Sequence, residues 1–221
     1  MSAPLHVLTI DTSSARSLAG VATVTDGAVT DLHERHADDG KAHGELLAGL
    51  VADVVAAAGL GMAGLDAVVV GAGPGPFTGL RVGIVTAAVT ADLLRIPLYG
   101  VVSLDAIAAV VESRPLVVAT DARRREVYWA RYEAGGTGSG PQVAKPADLD
   151  LAGAIVTGGG ASLYPDVLGV SLGVDHPTVA GLLHGALDRL MQGAPTEIVE
   201  PLYLRRPDAV VPTGRKSTVQ P

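Results

Sequence analysis

The sequence predicts an α/β fold built from two related halves, and three observations carry that expectation. The core has to be made of Val, Leu, Ile and Ala, because 221 residues contain one Trp, one Phe and five Tyr; that is the composition of strands buried on both faces with helices laid against them. Short apolar runs alternate with longer stretches of helical periodicity. The opening pattern, an apolar run closed by Asp11 and a polar turn, returns half a chain later as Leu116 to Thr120 followed by Asp121, the mark of an internal duplication.

Each element can be justified in order. Leu5 to Ile10 reads as a buried strand ending in the polar turn Asp11-Thr12-Ser13-Ser14, and a second strand follows at about Leu18 to Thr25. Asp26-Gly27 is a hairpin signal, after which Val29 to His33 completes a three-strand meander. From His43 to Ala58, Leu46, Leu50, Val54 and Ala58 recur every four residues beside Leu47, Val51 and Val55, which predicts an amphipathic helix ended by Gly59. Its other face carries Glu45, Ala48, Gly49, Ala52 and Ala56, residues small enough for another helix to approach closely.

Asp66 to Gly71 is another buried strand, and the loop Gly73-Pro74-Gly75-Pro76-Phe77-Thr78 leads from it into a helix over Gly79 to Leu94. That helix is apolar nearly all round, with Arg81, Asp92 and Arg95 in one narrow stripe, so burial of most of its circumference is expected. Beyond Pro97 and the extended Val101-Val102, a helix from Leu104 to Val111 is expected after a Ser103 cap. The second half then reads as strands over Leu116 to Thr120, Glu126 to Tyr132 and Ala154 to Thr157, a short helical stretch after Gly158-Gly159-Gly160, and a last helix from Val179 to Met191. Gly135 to Pro141 is too rich in glycine for any regular element, and Pro207, Pro212 and Gly214 predict a flexible tail over residues 207–221. The implied division is 1–101, 102–206 and that tail.

Composition narrows the function classes. No cysteine is present, which excludes a disulfide framework, a thiolate metal site and a cysteine nucleophile. No apolar run approaches the roughly 18 residues of a membrane helix and no signal-peptide pattern opens the chain, so the expected location is the cytoplasm. The formal net charge of −7 opposes tight binding of polyphosphate by the chain alone. Two basic stretches, Arg123-Arg124-Arg125 and Arg205-Arg206, each read singly as solvated turn residues.

The glycine-rich loop sits where backbone amides could meet a phosphate. It lacks the Lys-Ser or Lys-Thr of a Walker loop, and its two prolines remove two amides, so a structural turn ranks ahead of a phosphate cradle. Asp11 with Thr12, faced by Asp121, could hold a metal-bound water, with turn-capping as the plainer reading, favoured for Asp121 by the arginines beside it. No two histidines stand at i,i+4 on a helix, and no Gly-x-Ser-x-Gly elbow occurs.

The run Gly73-Pro74-Gly75-Pro76-Phe77-Thr78-Gly79-Leu80-Arg81-Val82-Gly83 resembles the GPGSFTGLRxG signature of the TsaB family, with Pro76 where Ser is usual. Four more segments agree in order: Leu8-Thr9-Ile10-Asp11-Thr12-Ser13, His43-Gly44-Glu45-Leu46-Leu47, Asp121-Ala122-Arg123 with Glu126-Val127-Tyr128-Trp129-Ala130, and Glu200-Pro201-Leu202-Tyr203-Leu204-Arg205.

The resemblance implies an actin-like, sugar-kinase-like (ASKHA) fold of two related ribonuclease-H-like subdomains, the second reduced. It also implies a non-catalytic subunit that binds a TsaD-like catalytic partner, which transfers a threonylcarbamoyl group to adenosine next to the anticodon. A TsaE-like ATPase joins the complex, tRNA is met through it, and the isolated chain would pair with itself. No cofactor or metal is implied, since Leu104 and Ala108 fall where the catalytic relatives carry a metal-binding His-x-x-x-His. Partner contacts are implied at His43, Leu46, Leu47, Leu50 and Val54 on one helix and Leu80, Arg81, Ile84 and Ala88 on the other. Asp11, Thr12, Asp121, Gly158 and Gly159 would mark a vestigial nucleotide cleft beside the loop residues Gly73, Gly75, Phe77, Thr78 and Gly79. The alternative is a stand-alone ATP-dependent phosphotransferase or ATPase using Asp11 and the loop; a metallopeptidase ranks last.

Overall fold

The computed structural model describes residues 3–40, 42–134 and 138–205. Two twisted sheets share one plan. In the first, β1 (Leu5–Asp11), β2 (Ser17–Thr25), β3 (Ala28–Ala37), β4 (Ala67–Gly73) and β5 (Leu98–Val102) lie in the order β3-β2-β1-β4-β5. In the second, β6 (Leu116–Asp121), β7 (Val127–Tyr132), β8 (Gly138–Ala144) and β9 (Ile155–Thr157) lie in the order β8-β7-β6-β9. Each begins as an antiparallel meander and crosses back to place a parallel strand beside its first strand, β4 on β1 and β9 on β6. Beyond β9, where β5 stands in the first sheet, only scattered bonds occur: Leu172 donates to the Val156 carbonyl at 3.3 Å and Gly159 to the Asp175 carbonyl at 2.9 Å. The duplication read from Asp11 and Asp121 is therefore a repeat of sheet topology, with no fifth strand in the second copy among the described residues.

The helices are α1 (His43–Ala57), α2 (Phe77–Leu94), α3 (Ser103–Ala108), α4 (Gly159–Leu163), α5 (Pro165–Leu168) and α6 (Val179–Met191). Because successive strand residues point to opposite faces, Leu8 and Ile10 of β1 face α1 and α2, meeting Leu47, Val51, Val54, Ile84 and Ala87. Val7 on the other face joins Val179, Leu182, Leu183 and Ala186 of α6. Both faces of the sheet are thus covered over β1, β2, β4 and β5, which explains their apolar runs, while the edge strand β3 is polar and mostly exposed.

The helix after the first sheet covers the second, and the last helix of the chain covers the first. The last strand of the first sheet leads into α3, whose Leu104 and Ile107 pack on Leu116, Val118 and Tyr128 of the second sheet. The second half ends in α6, which returns to the first. Thr178 caps α6 by accepting from the Gly181 amide at 3.1 Å, and Glu34 of β3 takes the Val179 amide at 3.0 Å. After α6 the chain runs along β5, with Leu98 donating to Thr196 and Glu197 donating back to Leu98. Residues beyond position 102 therefore complete the first sheet's core as well as their own.

Several elements differ from expectation. Ser103 is not the cap of α3; Val102 holds that place, and the Ser103 hydroxyl turns inward to Asp11. The helix it opens ends at Ala108. Gly138–Pro141 forms part of β8, because an edge strand hydrogen-bonded on one side tolerates glycine and proline; residues 135–137 and the expected tail lie outside the described residues. By length and composition α2 could cross a bilayer, against the expectation of no such stretch. Its Gly79, Leu80, Gly83, Ile84, Ala87 and Ala91 face the sheet, while the rest of its circumference is not buried as expected.

The contact of α6 with α3 has a tight spot at Gly181, where a Cβ would stand 1.9 Å from the Ala106 carbonyl oxygen. Gly181→Ala is expected to lower stability by about 1–3 kcal/mol, as other overpacked contacts do. Gly49→Ala, on the exposed face of α1 with nothing within 4 Å, is expected to raise it by about 0.5–1 kcal/mol. Urea denaturation of the two variants checks both signs.

Candidate functional site

The end of β1 and the glycine loop are locked together by buried hydroxyls. Asp11 is 1% exposed and accepts from the Ser13 amide at 2.9 Å, the Ser13 hydroxyl at 2.7 Å and the Ser103 hydroxyl at 2.7 Å. Burial pushes its carboxyl above the ordinary value, with these hydrogen bonds opposing. The Thr12 hydroxyl donates to the Gly79 carbonyl at 2.7 Å and accepts from the Gly83 amide at 3.0 Å, so it spans a donor and an acceptor four residues apart in α2. Gly73 has φ +97°, and Gly75 lies so close to β1 that a Cβ would stand 2.2 Å from the Ser13 carbonyl oxygen. The glycines of the loop allow backbone to lie on backbone.

Beside this lock a cleft of about 390 Å³ opens between the halves, lined among others by Ser14, Pro76, Asp121, Gly159, Ser162 and His176. Of the five residues expected there, the structure brings Asp121 and Gly159 to the cleft. Asp11 and Thr12 are buried and hydrogen-bonded in the core and do not line the cleft. Gly158 is packed on the Ala119 carbonyl. Asp121 is held by its own turn, accepting from the Arg123 amide at 2.8 Å with the Arg123 guanidinium at 3.6 Å.

Sequence reasoning missed His176. It comes from the loop before α6, and its Nδ1 meets the Ser14 hydroxyl at 3.0 Å across the cleft; no local spacing signals a pairing over 162 residues. Burial, then the neighbouring Arg16 charge, hold this imidazole below its ordinary value. Arg16 itself grips Asp38 at 2.7 and 3.1 Å, which keeps that carboxyl low. Leu104 and Ala108 are buried apolar residues, and among the described residues no three His, Cys, Asp or Glu side chains gather as a metal site would need.

The helix pair α1 and α2 presents the other site. Five of the nine contact residues expected there lie inside the first half's own core: His43, Leu47, Val54, Leu80 and Ile84. His43 joins Ser17 at 2.6 Å, fastening the start of α1 to β2. Leu46, Leu50 and Ala88 are half-buried and Arg81 is exposed. The outward faces belong to other residues. On α2, Val85, Val89 and Leu93 form a stripe with exposures of 57%, 51% and 76%; on α1, Glu45, Ala48, Gly49, Ala52 and Ala56 are all exposed. Helical periodicity could have found that stripe, since Arg81, Val85 and Val89 recur every four residues. At the loop end of α2, Phe77 stacks on Tyr203 at 4.7 Å, and the Arg81 guanidinium lies 4.0 Å over the Phe77 ring.

Comparison with known proteins bears on both sites. The family model described as TsaD, tRNA N6-adenosine threonylcarbamoyltransferase, matches residues 33–161. The chain is 47% identical over 204 residues to an uncharacterized protein of Mycobacterium leprae, covering 92% of this chain but only 55% of that protein's length. It is 30% identical over 225 residues to the tRNA threonylcarbamoyladenosine biosynthesis protein TsaB of Escherichia coli, covering 91% of this chain and 95% of that one. Among solved structures, YeaZ from Pseudomonas aeruginosa superposes with a TM-score of 0.73 at 27% identity, over 90% of this chain and all of that one.

Burial also holds His43 below the ordinary imidazole value. The folded chain therefore binds fewer protons at His43 and His176 than the unfolded chain does just below pH 6.5. Their contribution to stability is complete above that pH and is lost as pH falls through the folded-state values. The urea midpoint is expected to fall from pH 7 to pH 5.5, and to fall less in His43→Gln/His176→Gln, when the two proteins are titrated in parallel.

Proposed function

The chain belongs to the TsaB family, and on that premise we propose that it is a non-catalytic subunit in the threonylcarbamoylation of adenosine next to the anticodon of tRNA. Its task is to bind and steady a TsaD-like catalytic subunit. A TsaE-like ATPase and tRNA meet it within that assembly, and the same surface lets the isolated chain pair with itself. The shared strand order of the two sheets supports reading the halves, near 1–101 and 102–206, as ribonuclease-H-like subdomains of an actin-like fold.

The observation that carries this reading is the uncovered apolar stripe of α2 beside the small-residue face of α1. Val85, Val89 and Leu93 stand in water next to a helix face without bulky side chains. Such a pair suits close helix-on-helix packing with a partner that presents the same elements. The contact residues are then the exposed ones on both helices, with Leu46, Leu50, Arg81 and Ala88 at the margins. Asp11, Thr12, Leu47 and Ile84 shape the surface from beneath. The engagement of Asp11 in the core and of Asp121 in its own turn fits a role without chemistry of its own.

Size-exclusion chromatography with light scattering of this chain and the TsaD-like protein of the same cell is expected to give a one-to-one peak at micromolar concentration. Val85→Glu/Val89→Glu would place two unpaired carboxylates in the interface, each costing several kcal/mol. The complex is expected to weaken at least about a hundredfold, while the variant chain, altered only at exposed positions, keeps its melting temperature within about 2 °C. Undiminished co-elution of that variant would sink the assignment.

A further inference from the structure

Two basic stretches that are distant in sequence meet in the fold. Arg205 donates to the Arg123 carbonyl at 3.4 Å across 82 positions and pairs with Glu126. The turn it touches has an unusual backbone. Arg123, Arg124 and Arg125 are all left-handed, with φ of 62°, 54° and 62°. Residues with a Cβ enter that region at an energetic cost, singly rather than in runs. A turn with no task beyond reversing the chain would use Gly, Asn or Asp there, and strain of this kind gathers at functional sites.

The three side chains are exposed, and the turn borders the cleft through Arg123. Two residues before Arg205, Tyr203 stacks on the partly exposed Phe77, and Arg81 covers that ring while its Nε donates to the Tyr203 hydroxyl at 3.0 Å. Arg81 touches the aromatic pair, and Arg205, two residues beyond Tyr203, ties that end of the chain to the Arg123–Arg125 turn. The carboxylates nearby are Asp121, at 3.6 Å from Arg123, Glu126 beside Arg205, and Asp175 across the cleft. On a chain of formal net charge −7 this concentration of arginine is local.

We propose that the Arg123–Arg125 turn, together with Arg205 and the Phe77–Tyr203–Arg81 stack, is an RNA-binding surface that grips the phosphodiester backbone. Guanidinium forks fit phosphate oxygens bidentately, and the stack of Phe77 on Tyr203 holds the Arg81 guanidinium in place. The proposal deepens the tRNA-modifying role and rests on it, naming the part of tRNA that this chain itself holds.

The test is the salt dependence of tRNA binding by the assembled pair of subunits, with assembly measured on the same samples. Arg123→Gln/Arg124→Gln/Arg125→Gln is expected to leave the one-to-one complex intact, to weaken tRNA binding at least about tenfold at low salt, and to flatten the logarithmic salt slope by about two. The charge-keeping Arg123→Lys/Arg124→Lys/Arg125→Lys is expected to retain most of the slope. Unchanged tRNA affinity and slope in an assembled Gln variant would overturn the proposal, as would a slope in the Lys variant flattened as much as in the Gln variant, because contacts made through charge survive that exchange even where the fork is lost. Loss of ATP binding with tRNA binding intact would overturn it too, pointing to a free nucleotide in the cleft. Should the Gln variant fail to fold, the wild-type comparison decides: the pair must show a steeper slope than the catalytic subunit alone. A failure of the two chains to assemble at all would count against the scaffold role and would be seen separately, by light scattering.

Discussion

One hydroxyl group decides where α2 lies. Thr12 donates to the Gly79 carbonyl and accepts from the Gly83 amide, so the first turns of α2 are set against the end of β1 by a side chain with almost no freedom to move. Everything around it is shaped to allow that contact. A Cβ at Gly83 would stand 2.3 Å from the Thr12 hydroxyl, and one at Gly79 would stand 2.6 Å from the Thr12 carbonyl. Next to it, the Ser103 hydroxyl donates to Asp11 and accepts from the Gly73 amide at 3.2 Å, drawing the start of α3 to the same point. Buried polar groups are tolerated only when satisfied, and a satisfied set fixes one arrangement sharply. The glycine loop is conspicuous in the sequence because it has to thread between these groups.

The second constraint is the placing of α3 and α6. The face of the first sheet opposite α1 and α2 stays bare until α6 arrives from near the end of the chain, whereas the second sheet is covered by α3 and α4 of its own half. Burial of Leu182, Leu183 and Ala186 against the first sheet depends on some eighty residues of intervening chain having reached their positions. This makes a single cooperative unfolding transition the natural expectation for both halves.

Much of this was legible beforehand. The limits of α6, the three-strand meander and the duplication all followed from periodicity and one repeated Asp, because those patterns are local or recur whole. What the sequence hid was which apolar face finds a cover. Helix α2 reads as apolar nearly all round, and only the four-residue spacing from Arg81 to Val85 and Val89 sets the stripe with Val85 at 57% exposure apart from the face with Ile84 at 6%. The contact residues implied for a partner erred for the same reason: Leu47, Val54 and Leu80 satisfy the pattern by filling the chain's own core. Hydroxyl roles were hidden by distance. Ser103 looked like a helix cap because caps are local, and its real partner, Asp11, lies 92 residues away. The arginine turn was read residue by residue as solvated, and only its backbone angles set it apart.

Helices α3 and α6 bear on how the molecule moves as well as on how it holds together. In a two-lobed protein whose lobes meet through a loop, the groove between them opens like a book. Here the spine is two crossed helices touching at Gly181 and Ala106, with no space for a methyl group between them, and the Ser14–His176 contact clasps the pages from the other side. The groove is thus held from both sides, by a close helix contact along its spine and by a hydrogen bond across its mouth.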